Sequence, residues 1–209
     1  MKYSILLLVV FASLSYAQPK QIELKGIYKE IDVARDNKDI EILNGKNAIL
    51  KRQVIDSILA NPNLYNPAVL YAVSGELFSQ DKKDDAAFWF YVAQLRARYD
   101  GYLCMDKSAG QGIAVLNQRY GPAINNYTFQ DIDKLEKTVV KAVDFVKANQ
   151  EQYDHRWLNL CGMDAVMAGL DSTSTAKPLS QPKEQWAEIK QKTVDEYYSG
   201  FIEYVKSKK

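Results

Sequence analysis

Residues 66–100 contain the feature that most constrains the fold: two apolar helical runs on either side of a charged turn at 80–85. The first run begins at Asn66-Pro67. Asn is a favoured N-cap and Pro a favoured first helical residue, so this start predicts a helix over 67–79. The second run, 86–95, is apolar almost all the way round. Such a helix is buried on every side, so the pair belongs in the middle of a helical fold.

Helical periodicity recurs through the rest of the chain and predicts one all-α domain of five to seven helices over residues 47–209. The additional helical segments start near Asn47, Ser108, Thr128, Gln152 and Lys183. Gly121-Pro122 is expected to end the helix that starts near Ser108, and Thr128 to cap the next one. Residues 171–182 are rich in Ser, Thr and Pro and are predicted to form a loop. Residues 18–46 show no clear period and predict an irregular or short-stranded N-terminal arm; we favour a mostly irregular arm with a helical turn or two.

The spacing of small and aromatic residues in the central pair resembles that of one known repeat family. An aromatic–Gly–aromatic–Ala–aromatic pattern is formed by Tyr71, Gly75, Phe78, Ala87 and Tyr91. This pattern resembles a single tetratricopeptide repeat. The resemblance implies a close helix pair in which Gly75 faces Ala87. It covers one hairpin only: Ser74 replaces the usual Leu, no Pro closes the hairpin near Tyr99, and no second copy follows at a ~34-residue step.

The first residues of the chain have the pattern of a secretory signal peptide. Lys2 precedes an apolar run at 5–14, and Ser15-Tyr16-Ala17 is a small-x-small cleavage site. The run is too short to span a bilayer, which needs ~20 apolar residues. We therefore expect cleavage after Ala17, a periplasmic or secreted protein, and no stable membrane insertion of the mature chain.

The charge balance argues against nucleic acid as a partner. Loss of Lys2 with the signal peptide reduces 27 basic residues to 26, equal to the 26 acidic residues. A neutral chain has no general electrostatic attraction for nucleic acid or for an anionic membrane.

Cys104 and Cys161 are the only two cysteines. In an oxidising compartment an even pair favours a disulfide, which would stabilise the fold by roughly 4 kcal/mol in the loop-entropy treatment. Two buried thiols, or one catalytic thiol at Cys161 beside His155, are the alternatives.

Catalytic signals are sparse. His155 is the only histidine. It is a candidate general base, oriented by Asp154 or by an acid on a helix, and the alternative is a turn histidine beside a buried Trp. The sequence has no HExxH, CxxC, G-x-S-x-G or P-loop motif, and the glycine pair Gly110-x-Gly112 is a weak phosphate signal. We therefore expect no metal and no cofactor, and favour a non-enzymatic role.

Binding signals come from tyrosine and arginine, which are enriched where proteins bind each other. The candidate binding residues are Arg96, Arg98, Tyr99, Arg119 and Arg156. Arg96 follows the most apolar run, so it either faces a groove or pairs internally with an acid such as Glu76. We favour the ion pair because buried charges are normally paired.

Together these features predict an exported helical module that binds a protein or peptide. A specific form of this hypothesis is a periplasmic immunity protein that neutralises a secreted bacterial toxin. The alternatives are a cell-envelope hydrolase that uses His155 and a structural envelope factor.

Overall fold

The computed structural model describes residues 24–170 and 177–207, and within these ranges the chain is all-α. The described α-helices are α1 (Ala34–Asn44), α2 (Ala48–Ala60), α3 (Pro67–Ser79), α4 (Lys83–Leu103), α5 (Gly110–Thr128), α6 (Ile132–Ala148), α7 (Met163–Leu170) and α8 (Trp186–Lys206). Short 3-10 helices occupy Gly26–Glu30, Pro62–Leu64, Lys107–Ala109, His155–Cys161 and Lys183–Gln185. These ranges contain no strand, only an isolated antiparallel bridge between Cys104 and Ser180. The predicted all-α class is confirmed; the predicted signal peptide lies outside the described residues.

Helix α4 is the centre of the domain. It packs against α3, α5, α6 and α8. Its first half is buried on several faces at once, through Ala87, Phe90, Val92 and Leu95. A helix without a polar face must be surrounded, and four neighbouring helices surround this one. The expected central position of the second apolar run is confirmed.

Local signals set the start of α3 and the turn that follows it. The Asn66 side chain accepts hydrogen bonds from the backbone N–H groups of Ala68 and Val69, and Pro67 occupies the first turn, as predicted. At the other end, Asp81 adopts a left-handed backbone conformation with φ of 62°. The Lys82 N–H then bonds to the Leu77 carbonyl and closes the end of α3.

The N-terminal arm differs from the prediction, because it is helical over much of its described part. Residues Gly26–Glu30 form a 3-10 helix and Ala34–Asn44 form α1, which packs on α3. Helix α1 buries only Asp36 and Leu43. A short helix with so few apolar residues shows no clear period, so the sequence pattern gave no signal for it.

Helix α5 does not stop at Gly121-Pro122 but continues to Thr128. A side chain at position 121 would lie 3.3 Å from the Phe90 ring, so glycine permits close approach to α4. Beyond Pro122, Ile124 is buried and the Tyr91 hydroxyl contacts Thr128 Oγ1 at 3.0 Å. These tertiary contacts outweigh the backbone bond lost at Pro122. Thr128 therefore ends α5, and Asp131 caps α6 by accepting from the Lys134 N–H.

Helices α3 and α4 pack on each other as predicted, but one detail of the predicted contact is wrong. A Cβ atom at Gly75 would lie 2.7 Å from Cδ1 of Tyr120, and no atom of Ala87 lies within 4 Å of it. Gly75 therefore makes room for α5 instead of α4. The likeness to a tetratricopeptide unit stays a resemblance in sequence spacing.

Candidate functional site

The second half of α4 carries a buried carboxylate, Asp100, that collects the side chains of a distant segment. Trp157 Nε1 donates to Oδ2 at 2.7 Å, and the Tyr153 hydroxyl donates to the same oxygen at 3.1 Å. His155 Nδ1 lies 2.6 Å from Oδ1. We call Asp100, Tyr153, His155 and Trp157 the Asp100 cluster. The side chains of residues 153, 155 and 157 thus all contact one acid, at the point where the chain enters the 3-10 helix His155–Cys161.

Aromatic rings enclose His155. The rings of Tyr99, Tyr153 and Trp186 have their centroids 5.3, 4.9 and 5.1 Å from that of the imidazole. The Tyr99 hydroxyl donates to the backbone carbonyl of Trp186. Only 9% of the His155 side chain is exposed. The imidazole therefore lies in a closed cage between α4 and the start of α8.

The enclosure changes the acid–base properties of the pair. Burial lowers the pKa of His155, but the hydrogen bond and negative charge of Asp100 oppose this and raise the pKa above its ordinary value. Burial also raises the pKa of Asp100, against the hydrogen bonds from His155 and Trp157. Both shifts have the same sign, so the pair holds a proton more strongly in the folded protein than in the unfolded chain.

The predicted orientation of His155 by Asp154 is wrong, and the alternative of an acid borne on a helix is correct. Asp154 instead binds Arg156, with Arg156 Nη2 donating to Oδ2 at 2.8 Å. The orienting acid is Asp100 on α4. Among the described residues no hydrogen bond joins the imidazole to a Ser, Thr or Cys side chain. The burial of the pair and the hydrogen bonds of Tyr153 and Trp157 to the same acid suit an internal anchor.

The predicted Cys104–Cys161 disulfide is not formed: both cysteines are free thiols. Cys104 is buried, and its Sγ donates to the Asp106 carbonyl at 3.3 Å. Burial raises the pKa of Cys104 to about 11. Cys161 is an exposed residue, but its sulfur packs against Gly112, and this local burial of the thiol raises its pKa too. A catalytic cysteine needs a lowered pKa, and neither shift has that direction.

Arg96 forms an internal ion pair, as we favoured, but with a different partner. Its side chain is fully buried, and Nε lies 3.6 Å from Glu151 Oε1. Its Nη1 donates to the Pro62 carbonyl at 3.1 Å. Lys190 of α8 donates to the other Glu151 oxygen at 2.7 Å. The predicted acid, Glu76, pairs instead with Lys51. Arg96 therefore connects α4 to the segment before residue 153, and Glu151 of that segment connects both to Lys190 of α8.

The remaining candidate binding residues do not form one surface. Arg156 is held by Asp154, and Arg119 donates to Asn44 Oδ1 at 2.9 Å. Tyr99 is buried beside His155. Only Arg98 is exposed at an open groove.

That groove runs between α4, α5 and α8 and has a volume of about 620 Å³. Its floor is formed by polar side chains that are hydrogen-bonded to one another. Tyr71 and Gln94 both donate to Asn117 Oδ1 at 2.9 Å, and the Tyr197 hydroxyl donates to Gln94 Oε1 at 2.8 Å. Arg98 lies above it, with its guanidinium 5.7 Å from the centre of the Tyr197 ring. The sequence held one signal for the floor: Gln94 is the only polar residue in the apolar run 86–95.

Three further findings concern metal binding, membrane spans and similarity to known proteins. No group of three or more His, Cys, Asp or Glu side chains in 24–170 and 177–207 is placed to hold a metal ion. No helix in the same ranges is long and apolar enough to cross a membrane. Comparison with protein-family models, curated proteins and solved structures gives no match for the chain.

Proposed function

We propose that the protein is an exported helical module that binds another protein or peptide, and that the groove between α4, α5 and α8 is its binding surface. The observation that supports this most directly is the lining of the groove. An exposed arginine, two tyrosines and a preorganised amide floor lie together at one open site. Arginine and tyrosine are the residue types that contribute most to binding between proteins.

The localisation part of the proposal rests on the leader. The basic start, the apolar run 5–14 and Ser15-Tyr16-Ala17 support cleavage after Ala17 and a periplasmic or secreted location. Within this class we propose a periplasmic immunity protein that neutralises a secreted bacterial toxin. A small exported helical domain without catalytic motifs suits that task.

Blocking the groove tests the binding proposal. Ala114 lines the groove from α5, whereas Gln118, four residues further along the same helix, is exposed outside it. We expect Ala114→Trp to eliminate a stoichiometric protein partner that co-purifies with tagged wild type from the envelope. Gln118→Trp adds the same bulk to the same helix and should retain the partner. If both variants retain it, the groove is not the binding surface.

A second candidate function, a cell-envelope hydrolase, is favoured by one observation, the 2.6 Å contact between His155 Nδ1 and Asp100. An orienting acid of this kind accompanies catalytic histidines. Turnover of an envelope substrate that disappears in a folded His155→Ala variant would support the hydrolase over the binding module. A structural envelope factor, the third proposal, predicts neither turnover nor a groove-dependent partner.

A further inference from the structure

The groove has one sign of charge. Among the described residues that line it, Arg98 and Lys107 are the only ionised ones, and none is a carboxylate. Two acids adjoin lining residues, and both have partners. Glu196 accepts from the Tyr102 hydroxyl at the rim and lies 3.8 Å from Lys192, and the Asp106 carboxylate accepts from Ser108 and from the Asp164 N–H. A lining with two cations is complementary to a negatively charged occupant.

Arg98 is available for such an occupant. It is exposed, and no hydrogen bond or ion pair of its guanidinium is found in the described part of the chain. Its guanidinium lies over the ring of Tyr197, which also lines the groove. A guanidinium binds a carboxylate through two parallel hydrogen bonds, which the ammonium of a lysine cannot do.

Lys107 supplies a second cation at the other side. Its Nζ donates to the Cys104 carbonyl at 2.8 Å, which fixes the side chain and leaves two of its three N–H donors for a ligand. The lining also includes a small and apolar part from α5, formed by Gly110, Ile113 and Ala114. A Cβ atom at Gly110 would contact nothing, so space above this part of the groove is open.

From this arrangement we propose that the groove recognises an acidic peptide segment of a partner protein, with one Asp or Glu on Arg98, a second on Lys107 and a small apolar side chain between them. The inference rests on the proposed binding function and names the chemistry of the partner. Carboxylate is the group that matches the two cations, because the guanidinium of Arg98 and the ammonium of Lys107 can each donate charge-assisted hydrogen bonds to it.

Binding of two short peptides with a neutral fluorescent label tests the proposal. One has Glu at every second position with Ala or Leu between, and the other has Gln in place of each Glu. Fluorescence anisotropy with the mature full-length protein should show binding of the Glu peptide and none of the Gln peptide. Arg98→Gln and Lys107→Gln should each raise Kd about tenfold, since each removes one charge-assisted contact.

Arg52→Gln is the matched control, because it removes the same charge from a side chain that is 85% exposed on α2, outside the groove. It should leave Kd unchanged. No binding of the Glu peptide, equal binding of the Gln peptide, or equal weakening by Arg52→Gln would overturn the acidic-segment proposal. Loss of a natural partner in Ala114→Trp would still support the groove as a binding surface in that case, so the two proposals can fail separately.

Discussion

The two halves of α4 lie in the same helix but are stabilised in different ways. The first half packs Ala87, Phe90 and Val92 against apolar side chains. The second half buries Arg96 and Asp100, both with no exposed surface. Each charge depends on a partner 55 residues later in the chain, Glu151 for Arg96 and His155 for Asp100. The first half is therefore stabilised by the removal of apolar surface from water, and the second half by an enclosed polar network.

The difference has an energetic consequence. Apolar packing is distributed over many contacts, so the loss of one group costs in proportion to its size. A buried charge makes the loss of stability on a single substitution larger, because removal of one partner leaves the other buried charges and polar groups without compensation. The network around the second half should therefore be much more sensitive to single substitutions than the apolar half.

Asp100→Ala should give the largest effect. It removes the acceptor shared by Tyr153, His155 and Trp157, and we expect a loss of about 3–5 kcal/mol in the free energy of unfolding, the range for breaking a buried pair. Urea denaturation measures this loss. If the variant does not fold, the isosteric Asp100→Asn, which keeps an acceptor oxygen, should fold with a smaller loss. A loss below about 1 kcal/mol in Asp100→Ala would contradict the asymmetry.

Ala87→Leu tests the apolar half of the same helix. Ala87 is 1% exposed in the core beside α3, so three extra carbons overpack the contact and should cost about 1–3 kcal/mol. Lys137→Leu is the control, since Lys137 is exposed on α6 and both residues are good helix formers. Denaturant melts should separate the two variants. Equal melts would mean that α4 does not pack closely at Ala87.

The comparison also shows what the sequence could predict. The bounds of α3 and the buried position of the first half of α4 were predictable, because caps and hydrophobic periodicity act within a few residues. The partners of Arg96 and Asp100 were not. The Asp100-Gly101 pair has the sequence of a turn, yet both residues lie inside α4. Trp157 and His155 contact Asp100 in this position, and no local sequence pattern relates those two residues to Asp100.

The same limit applies to the groove. Arg98 was a candidate from residue type alone, but its neighbours Lys107, Asn117 and Tyr197 come from three other elements. The predicted set therefore mixed one groove residue with Arg96, Tyr99 and Arg156, which serve internal contacts. Only tertiary packing distinguishes an arginine that is already paired from one that is available.

The part of the pH dependence of stability that comes from His155 should be a smaller effect, and it belongs to the second half of α4. The folded-state pKa of His155 is raised above its unfolded value, against burial, by the hydrogen bond and charge of Asp100. The imidazolium–carboxylate contact therefore stabilises the fold fully below about pH 6.5, the unfolded value, and this contribution is lost as pH rises through the raised pKa. Chemical denaturation of wild type at several pH values should show this decline, and His155→Gln should lack it. An identical profile in both proteins would place the titration elsewhere.

Asp81→Gly should give the smallest effect and concerns the turn that leads into the apolar half. Asp81 has φ of 62°, a conformation that glycine adopts without strain. Its contact with Lys83 at 2.9 Å lies between exposed side chains and contributes little. We therefore expect the substitution to raise the free energy of unfolding by about 0.5–1 kcal/mol, after the entropic cost of glycine in the unfolded chain. Asp85→Gly, in the first turn of α4, is the matched control and should lower the free energy of unfolding by about 1 kcal/mol, since glycine there disfavours the helix. Changes of opposite sign in the free energy of unfolding, at two aspartates only four residues apart, would show that the turn determines the result and not the loss of a negative charge. Destabilisation by both substitutions would mean that the Asp81 carboxylate is needed to start α4.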